Sequence, residues 1–462
     1  MLFNSLVFLY AFLPVTYLVF WRLKRKTDRY AWLTFTGYVF YAFWDYRFCG
    51  LMALSTLVAY LAGLGLRAWD DPRRRRLCLI APITIDLALL GFFKYADFGM
   101  DTANRVAAWL DIPLYFSGPD IILPIGISFY TFHTITYIVD AYRRTIVPTR
   151  NFFEFSCYVS LFSQLVAGPI VRFRQIEQDL EHIDQHAPAR TWSIGWSFFT
   201  LGMIKKVLLA DTLAAVIDPA LAHYADLSTL DTWLCMLGFS YQIYFDFSGY
   251  SDMAVGLGHL FGLRIPQNFD SPYRAVDPSD FWRRWHISLS SCLRDYLYIP
   301  LGGSRDGAWH TARNIMITML LGGLWHGARW TFVNWGAYHG LLLVAYRGAR
   351  PAWDALPIVI QRGAMFLLVL VGWVFFRADS WPMATHLLST MFGWVSGPVI
   401  PGLWGLIAVL AAAAVAAHFG RNSWELSHRW RPAAGAGLAA LFAICVMLLY
   451  VGKPTPFLYF QF

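Results

Sequence analysis

The chain opens MLFNSLVFLYAFLPVTYLVFW (residues 1–21) and continues RLKRKTDR (22–29). At 1.5 Å per residue, a helix over the first stretch spans about 30 Å of hydrocarbon. No basic stretch precedes it and no small-residue cleavage site follows. It therefore reads as a retained membrane helix, not a removed signal peptide. Arg22, Lys24, Arg25, Lys26 and Arg29 come directly after it. Basic loops stay cytoplasmic, which places the N-terminus outside. Working outward, apolar runs over 31–47 and 50–66 return the chain to a second basic cluster, Arg67 and Arg73–Arg76, on the same side. Further apolar segments lie near 77–96, 104–118, 121–141, 152–171, 193–222, 229–263, 311–325, 328–347, 356–376, 402–419 and 432–452, an expectation of ten to twelve spanning helices.

Composition agrees. Of 462 residues, 57% are hydrophobic, 18% aromatic and only 14% charged, against roughly 25% charged in a soluble domain. The mean hydropathy is +0.46. Disordered, coiled-coil, collagen-like and disulfide-scaffold chains are excluded. The six cysteines are scattered without CxxC pairs, so they form no disulfide or zinc framework. The formal charge of +8 flanks apolar runs and reads as membrane orientation, not as a nucleic-acid surface. The expected fold is an all-α polytopic membrane protein with residues 1–462 as one domain. Broken pieces at Leu123-Pro124-Ile125-Gly126 and Ala167-Gly168-Pro169 suggest re-entrant or buried backbone beside a cavity.

Polar residues concentrate in 241–340. In YQIYFDFSGYSDMAVGLGHLFG (241–262), Asp246 and Asp252 sit among apolar neighbours. Carboxylates at membrane depth face a partner or a cavity, and a network that pins helices is favoured here over direct catalysis. Gly256, Gly258 and Gly262 have the spacing GxGxxxG with no strand before them, so helix packing through Gly258 and Gly262 is expected, not a dinucleotide loop. The segment RIPQNFDSPYRAVDPSDFWRRWHISLSSCLRDYLYIPLGGSR (264–305) is too charged to span. From Phe281 it has helical period, with Trp282, Trp285, Leu289, Leu293 and Tyr296 as one stripe. On such a helix Arg283 and Arg294, eleven residues apart, share a face. The helix would lie at the interface or be buried at a funnel wall, its basic face toward an anionic donor or toward lipid headgroups.

LLGGLWHGARWTFVNWGAYHG (320–340) carries His326 inside an apolar run, with His286 upstream and His339 downstream. Imidazole takes and returns a proton near neutral pH. On one straight helix His326 and His339 would lie about 20 Å apart and face different ways. They converge only if the chain turns near Gly327 to Asn334. Two other features are set aside. His182 and His186 flank Asp184 at metal-pair spacing but lack further ligands, and Cys292 has no feature favouring a nucleophile over packing.

The sequence resembles the membrane-bound O-acyltransferases, and within them the bacterial alginate O-acetyltransferase branch. The resemblance rests on LPIGISFYTFHTITYIVD (123–140), FSQLVAGPIVRF (162–173), YFDFSGYSDMAVGLGHLFG (244–262), FDSPYRAVDPSDFWRRWHISLSSCLRDYLYIPLGG (269–303), LGGLWHGARWTFVNWGAYHG (321–340), WVFFRADS (373–380) and FLYFQF (457–462). FWRRWHISLS followed about forty residues later by LWHG is the specific part. The resemblance implies a ring of helices around a central tunnel, with donor arriving from the cytoplasm and acceptor from the other side. The family's invariant histidine falls on His326. Its second polar position falls on His286, and His339 matches a histidine of the bacterial branch. Trp325, Asn334 and Asp295 are expected to support them, and Arg283, Arg284 and Arg294 to meet the donor.

The chemistry implied is attack of a hydroxyl on an acyl thioester. His326 serves as general base, while His286 orients it or helps stabilise the oxyanion. An acyl-histidine route stays open. By resemblance the donor is acetyl-CoA or another acyl thioester, with no bound cofactor and no metal. The acceptor is an exported exopolysaccharide of alginate, cellulose or peptidoglycan type. A periplasmic hydrolase-like acetyltransferase partner, the polysaccharide biosynthesis machinery and membrane lipid are the expected associates, in a bacterial inner membrane. The alternatives are D-alanyl transfer of the teichoic-acid type, and a transporter or flippase that lines its path with Asp246, Asp252 and the pair Lys205–Lys206.

Overall fold

The computed structural model describes residues 1–118, 120–166, 168–185, 188–397, 400, 402–452 and 457–458. Among the described residues every regular element is helical. The chain divides into two compact units, residues 1–196 with 254–266, and residues 197–253 with 267–462.

The first unit contains α1 (Leu13–Arg22), α2 (Lys26–Asp45), α3 (Cys49–Ala68), α4 (Pro72–Leu90), α5 (Ala96–Trp109), α6 (Ile127–Tyr142), α7 (Phe152–Ser160), α8 (Phe173–Glu181) and the start of α9 (Pro188–Met203). Local chemistry sets the starts. Asp71 caps α4 by accepting the Arg74 N–H at 2.8 Å, with Pro72 in the first turn. Asn151 caps α7 by accepting from the Phe153 and Glu154 N–H groups. The expected break at Leu123–Gly126 is a non-helical lead into α6. Gly126 has φ +80°, and a Cβ there would sit 2.8 Å from the Leu165 carbonyl oxygen, so only glycine fits. Of the second expected break, Ala167 lies outside the described residues, and Gly168 and Pro169 are non-helical. Buried Asp86 on α4 accepts hydrogen bonds from Ser55 on α3 and Thr134 on α6, both at 2.7 Å. It thereby ties three helices at a depth where an unpaired carboxylate would be costly.

The second unit contains α10 (Asp211–Ala222), most of α11 (Thr229–Leu260), α12 (Pro278–Arg284), α13 (Ile287–Leu293), α14 (Gly307–His326), α15 (Trp330–Asp354), α16 (Ile358–Arg377), α17 (Trp381–Phe392), α18 (Leu403–His418) and α19 (Pro432–Val451). Lys205 and Lys206 lie on a wider π-helical stretch, Ile204–Ala210, that runs into α10. Lys206 pairs with Asp246 on α11 at 2.6 Å and with Asp211 at 2.8 Å. Lys205 pairs with Asp252 at 2.6 Å and donates to Ser423 Oγ at 2.9 Å. Asp246 also accepts the Leu458 N–H at 2.9 Å.

Among the described residues, four helical stretches are long and apolar enough to cross a membrane: Lys26–Ala68, Pro72–Trp109, Ile358–Arg377 and Pro432–Val451. The first two each hold two successive helices. Phe8–Arg22 and Leu403–His418 are shorter apolar helices. Other expected spans fold as α6, α9, α10, α11, α14 and α15, several with buried polar side chains that lower their apolar character. Two expected spans are not continuous helices. The run 104–118 leaves its helix at Trp109, and 152–171 is helical only to Ser160, which is too short to cross.

Two further expectations are corrected. Gly258 and Gly262 do not form a helix-packing face: a Cβ on Gly258 would meet Ile265 and the Leu263 carbonyl, and Gly262 has φ +79°, so they close the turn after α11. The close helix approach uses Gly195 on α9 instead, where a Cβ would lie 2.9 Å from the Gly256 carbonyl oxygen. The helix read from Phe281 onward is also not continuous. It breaks between α12 and α13 at His286, so Arg283 and Arg294 do not share one helical face.

Candidate active site

The break after α12 is the centre of the site. Asp277 caps α12 by accepting the Asp280 N–H at 2.7 Å, and Pro278 opens its first turn. The helix stops at Arg284. Trp285 is extended and His286 takes φ +44°, ψ +55°, the left-handed region, before α13 begins. A non-glycine residue there costs on the order of 1–3 kcal/mol and persists only if its surroundings hold it.

Segment 268–270 supplies that hold. The Ile287 N–H donates to the Asn268 carbonyl and the Asp270 N–H to the Arg284 carbonyl, each at 2.9 Å. The Asn268 side chain reaches further. Its Oδ1 accepts the Ser288 N–H at 3.2 Å and the Ser288 hydroxyl at 2.8 Å, and faces His286 Nδ1 at 3.1 Å. Its Nδ2 donates to Ser251 Oγ at 3.1 Å.

His326 is the last residue of α14, and the chain turns through Gly327–Arg329 into α15. This is the reversal that convergence of the histidines requires. The α14–α15 hairpin is tight: a Cβ on Gly323 would collide with the Phe332 carbonyl oxygen, and one on Gly336 with the Met319 carbonyl oxygen. The His326 ring stands 6.5 Å from the His286 ring, centroid to centroid. Both are buried, His286 at 0% exposure and His326 at 5%. Burial in this polar but water-poor segment pushes the His286 imidazole down to about 3, because a charged ring there would lose its hydration. His286 is therefore neutral at working pH.

The walls are aromatic. Trp325 lies 6.0 Å from His286 and 5.0 Å from His326. Trp335 and Phe376 stand 5.0 and 5.3 Å from His326. Phe247 on α11 stands edge-on to His286 at 4.6 Å. Two buried imidazoles among aromatic walls, His286 of them neutral, can pass a proton to or from a bound hydroxyl. Among the described residues, no group of three His, Cys, Asp or Glu gathers as a metal set.

The comparisons with known proteins now bear on this geometry. The model of the MBOAT, membrane-bound O-acyltransferase, family matches residues 141–376, which hold all three histidines and their aromatic walls. The chain belongs to the membrane-bound O-acyltransferase family. It is 45% identical over 404 residues to a probable alginate O-acetylase, AlgI, of Azotobacter vinelandii, covering 85% of this chain and 78% of that one. It is 39% identical over 495 residues to a probable alginate O-acetylase, AlgI, of Pseudomonas putida, covering 100% of both chains. A peptidoglycan O-acetyltransferase of Helicobacter pylori is 36% identical over 426 residues, 85% of this chain and 80% of that one. Teichoic acid D-alanyltransferases are more distant, matching 48% of the chain at 29% identity. As an MBOAT protein the chain is a multi-pass membrane acyltransferase.

The remaining residues singled out in this MBOAT chain fall in different places. His339 is one ring further from the break: Trp335 lies between, 4.9 Å from His339. The His339 ring stacks on Phe281 at 5.9 Å and stands against Trp282 at 5.3 Å. Its Nε2 has no hydrogen-bond partner among the described residues. A Cβ on Gly372 of α16 would lie 2.9 Å from that nitrogen, so α16 backs directly onto it. Asn334 is half-buried on α15, and no side-chain hydrogen bond joins it to the described residues. Asp295 accepts from Arg294 at 2.7 Å. Arg284 pairs with Asp280 at 3.0 Å and Asp270 at 3.4 Å, and Arg283 with Asp280 at 3.4 Å. Arg283 and Arg294 are mostly exposed, so their pairs are weak and open readily to a competing anion. His182 is exposed and bonded to the Gln178 carbonyl at 2.8 Å, and His186 lies outside the described residues.

Sequence reasoning missed Asn268, Phe247, Trp373 and Phe376 as parts of the MBOAT chamber. The motif window that begins at Phe269 starts one residue after Asn268. WVFFRADS (373–380) carries no chemistry-bearing pattern of its own, yet it places Trp373 4.8 Å from Trp285 and Phe376 beside His326.

Proposed function

We propose that this protein, acting as one membrane domain over 1–462, moves an acetyl group from a cytoplasmic thioester toward an exported polysaccharide. The pairing of His286 with His326 at 6.5 Å carries the reading, because transport needs no such pair and acyl transfer does. Acetyl-CoA is the donor, and a polymer of the alginate or peptidoglycan kind is the eventual acceptor, in keeping with the relatives. The acceptor hydroxyl gives its proton to His326 as its oxygen attacks the thioester carbonyl. A C–O bond forms, the C–S bond breaks, and the departing sulfur receives the proton from the imidazolium. Burial among Trp325, Trp335 and Phe376 keeps water from competing. Arg283 and Arg294 offer their exposed guanidiniums to the donor's phosphates, releasing weak ion pairs to do so, and the half-buried Arg284 stands beside them. His339, Trp325 and Asn334 support the chamber.

The protein resides in a bacterial inner membrane with its N-terminus periplasmic, and a periplasmic hydrolase-like partner places the acetyl group on the glycan. The test compares polymer acetylation in cells carrying wild type and His326→Ala at equal membrane levels. Loss of acetyl ester is expected, and normal acetylation in the mutant removes the proposal. Mass analysis of the ester separates acetyl from D-alanyl transfer.

A further inference from the structure

We infer that Asn268 is the positioning residue that fixes the tautomer of His286, leaving Nε2 without a proton, so that His286 enters the reaction as a hydrogen-bond acceptor. This rests on the histidine pairing proposed above and decides between the two roles the sequence leaves open for His286.

A backbone N–H can only donate. The Ser288 N–H points at one terminal atom of the Asn268 amide at 3.2 Å, so that atom is the oxygen. The other terminal atom is then Nδ2, consistent with its contact to Ser251 Oγ at 3.1 Å. His286 Nδ1 faces the same oxygen at 3.1 Å. An amide oxygen only accepts, so Nδ1 carries the hydrogen. The Ser288 hydroxyl lies 2.8 Å from that oxygen and 3.4 Å from His286 Nδ1, so its proton goes to the amide and does not compete for the imidazole. Neutral imidazole holds one N–H. With it on Nδ1, Nε2 presents a lone pair. A ring so fixed cannot donate to an oxyanion through Nε2. It can accept from the N–H of His326 or from a bound hydroxyl, which steadies the base or the nucleophile.

The geometry is over-determined. The same side chain holds Ser288 through both its N–H and its hydroxyl, and the Asn268 carbonyl holds Ile287. Asn268 thus acts on both the left-handed turn at His286 and its protonation pattern, with the Asp270 N–H to the Arg284 carbonyl adding to the hold on the turn.

Two measurements test this on the full-length protein. The first is 15N NMR of histidine-labelled protein in detergent micelles, with the His286 signals assigned by comparison with His286→Gln. A pyrrole-like Nδ1 and a pyridine-like Nε2 are expected, whereas the reverse pattern overturns the inference whether or not the protein transfers acetyl. The second is the pH profile of acetyl-CoA turnover in membrane vesicles for wild type, Asn268→Asp and Asn268→Leu. Aspartate keeps the acceptor and adds a negative charge, which favours imidazolium. The acid limb of Asn268→Asp is expected to move up by one pH unit or more with activity retained on the alkaline side. Asn268→Leu is expected to lose activity at least tenfold without recovery at high pH. A superimposable profile for Asn268→Asp, or full activity in Asn268→Leu, overturns it. Should His326→Ala retain transfer while the NMR pattern holds, the functional reading fails and the tautomer assignment stands.

Discussion

The Phe247 ring stands edge-on to the His286 imidazole, centroids 4.6 Å apart and planes at 87°. Phe247 is itself backed by Phe457 at 5.8 Å, and Phe457 stacks on Tyr250 at 4.7 Å. A histidine in a left-handed turn thus donates a hydrogen bond to Asn268 on one flank and meets an aromatic stack on another. Phe247→Leu keeps an apolar residue but removes the flat edge. Acetylation per unit of membrane protein is expected to fall about tenfold, corresponding to about 1.4 kcal/mol of lost transition-state stabilisation. Phe457→Leu should fall less, since it acts one ring further away. Turnover measured at matched protein levels checks both.

His339 occupies an aromatic slot among Phe281, Trp282 and Trp335. Its replacement by alanine leaves a cavity worth roughly 2–4 kcal/mol of stability. The expected outcome is less folded protein with activity per folded molecule reduced by less than tenfold. Abolished turnover in well-folded His339→Ala would instead make it a reacting group.

Two glycines on α15 give opposite outcomes for the same substitution. A Cβ on Gly336 would collide with the Met319 carbonyl oxygen, whereas nothing lies within 4 Å of one on Gly348. Gly336→Ala must open the hairpin that carries His326. It is expected to destabilise by about 1–3 kcal/mol or more and to abolish transfer. Gly348→Ala should be neutral or stabilising by up to about 1 kcal/mol, from helix propensity alone. Thermal unfolding in detergent alongside turnover distinguishes them.

Lys206 is buried between Asp246 and Asp211. Lys206→Met leaves carboxylates without their cation and is expected to cost about 3–5 kcal/mol. Lys206→Met with Asp246→Asn removes opposite charges together and should recover part of that loss. Acetyl transfer that returns with stability in the double variant supports a pinning role. A double variant that folds but transfers nothing would favour a charged path through these residues, as a transporter needs.

Much of this was legible from the residues, and the rest was hidden for definite reasons. Apolar runs and basic clusters mark a membrane chain because every spanning backbone must be helical or buried. Helix geometry makes a turn near Gly327 the condition for His326 and His339 to approach; the chain does turn there, yet Trp335 stands between the two rings. The break at His286 left no periodic trace. Trp282, Trp285 and Leu289 keep spacings of three and four across it, so the pattern reads as one helix while the backbone reverses handedness at a non-glycine position. The shared arginine face failed with that helix. Asn268 was invisible because its partner lies eighteen residues downstream, and hydrogen bonds across such a loop have no sequence signature. Asp246 and Asp252 were read as a pinning network, and the adjacent lysines prove to be their partners.

Trp285, Trp335 and Trp373 are all buried, with Trp373 4.8 Å from Trp285 and 6.0 Å from Trp335. Indoles that close couple their electronic transitions, so the chamber carries its own optical signature. The near-ultraviolet circular dichroism difference between wild type and Trp373→Phe isolates that coupling from the other tryptophans. Any ligand that shifts the α12–α13 break relative to α15 and α16 then becomes visible in solution without a label.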